Sequence, residues 1–525
     1  MSGSLQRIGI VSIATILSRV LGLARDILTF AVFGTSALNS AFIFAFTLPN
    51  LFRRLLGEGA LTAALVPTLS EEMEENKLRG VFGLLNKVVT WLLLVLLTLT
   101  GLAMVLFYGI KWIPGLEERW YLGAELSRIL FPYMLFVCLA AVLAAALNVL
   151  NRFAVPALSA VWLNLAMIFS LGVLGGALAS TPEGKMRFLC FGVLLGGVLQ
   201  VAVPCWALVR EGWKPKPDPA VSPRMREISI LMLPGLAGAA IFQINVVVSR
   251  VLAFTLDESA VAILYLANRL MELPLGIFTI AVTTVVFPLI SRYAARGDYR
   301  NLAAAYQKGV RLILVITVPA AAGIILMREP ILVSLFQWGA FGDADTRKTL
   351  PVLTVFALSL PFYSVAAHLT RGFYSLKDIR TPVRIAGIGF LVNLVFSLTL
   401  MQVLGILGLA LANLLAVAGQ TSMLQSRLTR RIPGVAFRLQ GRNLAKILLA
   451  AAGMSLAVLP ALAVLDAWIP EVRHAAFVAI LAVIPAAIGV YGVLLWACRV
   501  EGREDMDHLV RRFFRGKTDG GDLNL

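Results

Sequence analysis

Apolar residues along this chain come in long runs, parted by short clusters of charged residues, glycines and prolines. A helix needs about 20 apolar residues to cross roughly 30 Å of hydrocarbon. By that measure the runs predict fourteen spanning helices, at 8–33, 38–69, 82–110, 121–150, 155–179, 187–209, 228–255, 260–290, 301–327, 350–373, 383–401, 405–426, 444–467 and 475–498. The stretch 329–349, with Ile331, Leu332, Leu335, Phe336, Trp338 and Phe341, is too short to span and predicts an interfacial helix on the outer side. The fold class is an all-α polytopic membrane protein.

Loop charges give an orientation. Loops after even-numbered spans are basic, as in Arg210, Lys214, Lys216, Arg224 and Arg226, whereas 34–40, 256–259 and 402–405 hold no Lys or Arg. Both termini are therefore expected in the cytoplasm. Glu71, Glu72, Glu74 and Glu75 form an acidic cytoplasmic loop, which this rule tolerates because acids count for little. A weak repeat at an offset of about 220 to 230 residues relates Pro67-Thr68-Leu69-Ser70 to Pro288-Leu289-Ile290-Ser291, and Pro156 after Asn151-Arg152 to Pro382 after Asp378. It predicts an N-terminal lobe over 1–210, a basic cytoplasmic linker over 211–227 and a C-terminal lobe over 228–430, six spans to each lobe. Two further spans lie in 431–500 and a cytoplasmic tail in 501–525.

Composition supports this class. Of 525 residues, 59% are hydrophobic and 14% charged, against about a quarter charged in a soluble protein. Mean hydropathy is +0.86. The net charge of +17 follows from the basic loops, and no interleaved aromatic–basic stretch points to nucleic acid. Cys138, Cys190, Cys205 and Cys498 lie in apolar spans without metal-type spacing, and His368 is a lone histidine in a span, of the packing or hydrogen-bonding kind. No phosphate-cradling G-x-x-x-x-G-K-[ST] occurs, so an energy-coupling ATPase is not expected; the expectation is a non-enzyme without a cofactor.

Charges inside the spans change the picture most. Arg53, Arg54 and Glu58 sit within one apolar run, where each mid-membrane charge costs roughly 2.5–3.5 kcal/mol unless met by water or a partner. Arg54 and Glu58, four residues apart, have the spacing of a structural pair, which leaves Arg53 to be explained. The first span adds Arg19, Arg25 and Asp26, and the eighth adds Arg269 and Glu272 on one helix face. Arg19, Arg53, Arg54 and Arg269 are expected near mid-depth, with Arg25 about 9 Å further out; Gly22 allows a bend that turns Arg19 and Arg25 toward one cavity. Five arginines against three acids suit a membrane-associated anion, a diphosphate above all, through forked donors. A set of interlobe salt bridges that gate the protein is the other reading, and both can hold. Gln243, Asn245, Asn164, Asn393, Asn413 and Gln420 read as interhelical hydrogen-bonding residues.

The motifs resemble a known family. Ser18-Arg19-Val20-Leu21-Gly22-Leu23-Ala24-Arg25-Asp26 is similar to the first-helix signature of the MurJ (MviN) family. So are Ala41-Phe42 through Leu48-Pro49-Asn50-Leu51-Phe52-Arg53-Arg54, Gly57-Glu58-Gly59-Ala60, Asn268-Arg269-Leu270-Met271-Glu272-Leu273-Pro274-Leu275-Gly276 and the run from Arg371 to Pro382. The resemblance implies a lipid II flippase of the MOP (multidrug/oligosaccharidyl-lipid/polysaccharide) exporter superfamily in the bacterial inner membrane. It implies two six-helix lobes around a cavity worked by alternating access, and a groove in spans 13 and 14 for the undecaprenyl tail.

By motif, Arg19, Arg25, Arg53 and Arg269 are the expected diphosphate contacts, Asp26, Glu58 and Glu272 the orienting acids, and Arg54 the partner of Glu58. Expected partners are lipid II, membrane lipids and the cell-wall synthesis machinery. A MOP-type exporter of another polyprenyl-linked glycan, or of drugs, is the alternative. Two positions depart from the family. Ser40 stands where many relatives have Asp before the Ala-Phe of span 2, and span 7 offers only Gln243, Asn245 and Ser249 where some relatives hold sodium. This argues against sodium coupling and leaves the coupling ion unassigned, with membrane potential as the other source.

Overall fold

The computed structural model describes residues 2–55, 61–469 and 471–501. The chain divides into two compact units, Met1–Tyr265 with Phe336–Asp345, and Leu266–Leu335 with Thr346–Leu525. Both are all-α, and ten helices among the described residues are long and apolar enough to cross a membrane. Gln243–Leu256 and Val282–Ala295 are shorter apolar helices. The boundary between the units falls at Tyr265, within a continuous helix.

The first unit begins with α1 (Ser2–Phe33), continuous through Gly22. Gly34 turns the chain at φ +58°, a conformation that favours glycine, and the Ser36 hydroxyl accepts the Asn39 amide to cap α2 (Ala37–Phe52). Pro49 withholds an amide from α2, and the helix widens into a π-type turn at 53–55 that carries Arg53 and Arg54. In α3 (Leu61–Gly109) the structure corrects the expected acidic loop: residues 71–75 stay helical, and the break falls at Lys77 (φ 58°, ψ −155°). The reason is Arg224, whose guanidinium lies 2.8 Å from Glu71, 2.9 Å from Glu75, 3.1 Å from Glu227 and 3.4 Å from Glu72.

The unit continues with α4 (Glu118–Leu130), α5 (Tyr133–Val149), α6 (Ala154–Ala157), α7 (Ser159–Ile168), α8 (Gly176–Leu178), α9 (Pro182–Arg210) and α10 (Pro223–Leu256). Helix α1 packs on α7, α2 on α4, α3 on α5 and α10, and both α5 and α7 on α9. Small residues make the α9 contacts close. A Cβ on Gly192 would meet the Met167 backbone at 3.0 Å, and one on Gly197 the Tyr133 ring at 2.8 Å. Helix α11 (Ala260–Pro274) starts in this unit and leaves it after Tyr265.

The second unit holds the rest of α11, then α12 (Ile280–Ala295), α13 (Tyr299–Phe336), α14 (Asp343–Ser375), α15 (Arg380–Leu404) and α16 (Ile406–Arg431). It ends with α17 (Gly441–Trp468), α18 (Val472–Val478) and α19 (Ile484–Ala497). Its core joins Ile290, Tyr306, Leu369 and Phe373 to Ile447 of α17 and Leu495 of α19. His368 is buried there, stacked on Tyr306 at 4.9 Å with Nε2 3.2 Å from the Tyr306 carbonyl, so it packs and hydrogen-bonds.

No separate interfacial helix forms over 329–349. Residues 329–336 finish α13, the chain turns through 337–342, and α14 begins at Asp343. The segment 336–345 belongs to the first unit because it is fastened to the α1–α2 corner. The Ala340 amide donates to the Ala31 carbonyl at 2.7 Å, the Thr35 hydroxyl bonds Asp345, and Phe30 meets Phe336 and Phe341 edge-on at 5.8 and 5.9 Å.

A corner recurs at the offset of the sequence repeat. Asn151 after α5 and Lys377 after α14 both turn at φ 60°. Each is followed by the same pair of capping bonds, Arg152 amide to Leu147 carbonyl (2.8 Å) and Asn151 to Asn148 (3.0 Å), then Asp378 to Phe373 (3.0 Å) and Lys377 to Tyr374 (2.9 Å). The ion pairs beside them have opposite sense, Arg152 with Glu211 at 2.8 Å and Asp378 with Arg431 at 2.7 Å. Asp378 is thus paired across helices, not with its neighbours Lys377 and Arg380.

Candidate functional site

Within the first unit the charges of α1 are embedded in a network. The Asp26 side chain is 4% exposed and that of Arg25 12%. Asp26 Oδ1 accepts from Arg25 Nη2 at 2.6 Å and Nε at 3.1 Å. From α7, Asn164 Oδ1 accepts from Arg25 Nη1 at 3.1 Å while its Nδ2 donates to the Ser18 carbonyl at 3.1 Å. Asn164 therefore makes the interhelical bond its type predicts and also orients Arg25. Met167 Sδ, one turn further, lies 3.9 Å from Nη1. From α11 the Tyr265 hydroxyl accepts from Arg25 Nη2 at 3.2 Å and donates to Asp26 Oδ1 at 3.2 Å. The Tyr265 ring stacks on Phe30 at 6.5 Å, with the Arg250 guanidinium 5.6 Å from its centroid.

Arg53 stands on the π-type turn, half-buried, its Nε donating to Asn50 Oδ1 at 3.2 Å. Asn50 in turn donates to the Phe46 carbonyl at 2.9 Å. Tyr133 of α5 lies within electrostatic reach of both Arg53 and Arg25, and Cys138 within reach of Arg53. The Tyr133 hydroxyl donates to Gln200 Oε1 at 3.0 Å, and Gln200 is held by the Ser159 carbonyl at 3.0 Å. The structure thus brings Arg25, Asp26 and Arg53 around Tyr133 and Tyr265. Arg19 is half-buried six residues before Arg25, Arg54 is exposed, and Glu58 lies outside the described residues. The tail expected in the cytoplasm, beyond residue 501, lies outside them as well.

The second unit carries the other pair. Arg269 Nη1 is 3.9 Å from Glu272 Oε2, with side chains 27% and 43% exposed, and Asn268 Nδ2 donates to Glu272 Oε1 at 2.9 Å. Tyr363 lies within reach of Glu272, and its hydroxyl donates to Asn413 at 2.7 Å. Ser40, the residue expected to depart from the family motif, is fully buried and its hydroxyl accepts the Ala262 amide at 3.3 Å, satisfying a donor in the first turn of α11. The Asn245 side-chain carbonyl is buried without a hydrogen bond.

Sequence reading missed Tyr265, Tyr133 and Gln200, which carry no pattern to set them apart in apolar helices. It also missed Arg250, which a full charge census of the run 228–255 would have counted. Such sites are chemically anion-directed, since guanidinium forks match phosphate and carboxylate oxygens.

Ten helices among the described residues that are long and apolar enough to cross a membrane define a polytopic α-helical membrane protein. Its fold is like that of solved membrane transporters, some of them described as members of the MOP superfamily. An inward-facing MATE family transporter of that superfamily gives a TM-score of 0.66 at 15% identity, over 82% of this chain and 98% of that one. A structure described as lipid II flippase MurJ, inward closed conformation, gives 0.74 at 24% identity, over 95% of this chain and 99% of the other. The family model described as Lipid II flippase MurJ matches residues 30–478. A probable lipid II flippase MurJ of Rhizobium tropici is 34% identical over 427 residues, 78% of each chain. One of Haemophilus influenzae is 32% identical over 85% of this chain and 90% of its own. The chain belongs to the MurJ family.

Proposed function

We infer that this chain is a lipid II flippase, carrying the undecaprenyl-diphosphate-linked peptidoglycan precursor from the cytoplasmic to the outer leaflet of a bacterial inner membrane. Family membership over residues 30–478 carries the reading, and the intramembrane arginines supply its chemistry. The diphosphate loses hydration as it leaves water, and Arg19, Arg25, Arg53 and Arg269 replace that hydration with forked, fixed charges. Asp26, Glu58 and Glu272 orient them. Fourteen spans with both termini cytoplasmic, and two six-helix lobes that rock about the loaded site, give alternating access. Helices α17 to α19 offer their outward apolar side chains, such as Leu448, Leu456 and Leu481, to the lipid tail. The coupling source is an unassigned ion, with span 7 arguing against sodium, or the membrane potential. Contacts with the cell-wall synthesis machinery belong to the same reading. A drug exporter for cations would place acids where these arginines stand.

The test is replacement of the native flippase in a depletion strain by this chain and by Arg19→Ala, Arg25→Ala, Arg53→Ala and Arg269→Ala. The parent restores growth and the variants fail while still reaching the membrane. A parent that fails, or four variants that all grow normally, overturns the reading.

A further inference from the structure

All five N–H donors of Arg25 are engaged: Nε and one Nη2 hydrogen on Asp26, the other Nη2 hydrogen on Tyr265, and the Nη1 hydrogens on Asn164 and Met167. A guanidinium so committed has no donor left for a phosphate oxygen. Its acceptors differ in how they are held. Asp26 shares α1 with Arg25, and Asn164 is tied back to the Ser18 carbonyl of that helix. Tyr265 comes from α11, the one element of this network that runs on from the first unit into the second. Arg250 fastens the same helix, its Nη1 donating to the Val261 carbonyl at 3.0 Å one turn before Tyr265. Arg269 follows Tyr265 by four residues on the same helix face.

We propose that Tyr265 is a positioning residue for translocation: its hydroxyl holds Arg25 against Asp26, and a shift of α11 withdraws that hydroxyl and frees an Arg25 donor for the diphosphate. The proposal rests on the reading of Arg25 as a diphosphate contact. It names what passes between the arginines, since displacement of the helix that carries Arg269 changes the number of donors Arg25 offers. The exchange runs toward phosphate because an oxyanion is a stronger acceptor for guanidinium than a phenol oxygen. Phe30 and Arg250 hold the ring, so the hydroxyl moves with the helix rather than by rotamer change.

Tyr265→Phe removes the hydroxyl and keeps the ring with its stacking. In the purified full chain, farnesyl diphosphate as probe binds about three- to tenfold more tightly to this variant than to the parent, from the one charge-assisted bond released. In proteoliposomes a fluorescent lipid II analogue is translocated more slowly by a similar factor. In the Arg25→Gln background, Tyr265→Phe changes probe affinity by less than about twofold, a result that a merely structural tyrosine does not give. The proposal is overturned if Tyr265→Phe leaves or lowers affinity while Arg25→Gln weakens it, or if the gain persists without Arg25. If Arg25→Gln alone leaves affinity unchanged, Arg25 is no diphosphate contact and both readings fall.

Discussion

Two arginine–acid pairs of this chain, one in α1 and one in α11, are built in opposite ways. Arg25 and Asp26 are adjacent in α1, 2.6 Å apart and almost wholly enclosed, with Asn164 and Tyr265 completing the shell. Arg269 and Glu272 are one helical turn apart in α11, 3.9 Å from each other and far more exposed. A charge enclosed in a low-dielectric interior must be compensated at every donor or it costs several kcal/mol. A charge open to water is hydrated already, and its partner adds little. The first pair is therefore part of what holds its unit together, and the second contributes little to it.

Substituting the acids tests this directly. Asp26→Ala strands a buried guanidinium and lowers unfolding stability by about 3–5 kcal/mol, whereas Glu272→Ala lowers it by less than about 1 kcal/mol. Thermal unfolding of the two purified variants measures both, and equal losses would erase the distinction. The next effect works on Phe30, on which Tyr265 stacks. Gly339 turns at φ +56° with its Cα hydrogen facing the Ala31 carbonyl, so Gly339→Ala strains the turn and pushes 336–345 from the α1–α2 corner. A loss of roughly 1–3 kcal/mol is expected, with Arg269-dependent probe binding unchanged. Smaller still in stability is Arg269→Lys, which keeps the charge and loses the fork. It weakens farnesyl diphosphate binding about tenfold and moves the unfolding midpoint by no more than about 2 °C. A midpoint shift without an affinity loss would make Arg269 a structural residue.

Much of this was legible in the chain, for physical reasons that differ by residue. An arginine inside an apolar run has a cost that no soluble-protein account absorbs, so Arg25, Arg53 and Arg269 stand out by their place in the sequence. Ten of the fourteen expected spans are matched by helices long and apolar enough to cross, because hydrocarbon thickness sets their length. The helical state of 71–75 was not, since a run of glutamates reads as a loop until Arg224, far along the chain, is seen to gather them. Nor was the state of Arg25. Sequence shows which charges fall within apolar runs; whether a guanidinium has donors to spare depends on Asn164, Met167 and Tyr265, three helical residues of common type. The fastening of 336–345 to Ala31 and Thr35 likewise depends on backbone groups and a turn glycine.

The smallest effect lies at the repeated corner, where Asp378 pairs with Arg431 at 2.7 Å. Burial alone would raise the Asp378 carboxyl, but the Thr381 hydroxyl and amide and the Arg431 guanidinium outweigh it and hold the group below the ordinary carboxylate value. A depressed acid contributes stability that is present above the unfolded value, near pH 4, and is lost as pH falls through the folded one. Asp378→Asn keeps a cap for the Thr381 amide and removes only the charge. The parent should therefore unfold about one or two degrees above the variant at neutral pH, and the gap should close below about pH 4. The reversed pair on the first unit, Arg152 with Glu211, supplies the control, because its arginine is 62% exposed and Arg152→Gln should change the midpoint less at every pH. A gap for Asp378→Asn that widens on acidification would mean that the carboxyl is protonated in the folded state, and that Arg431 holds the corner by other means.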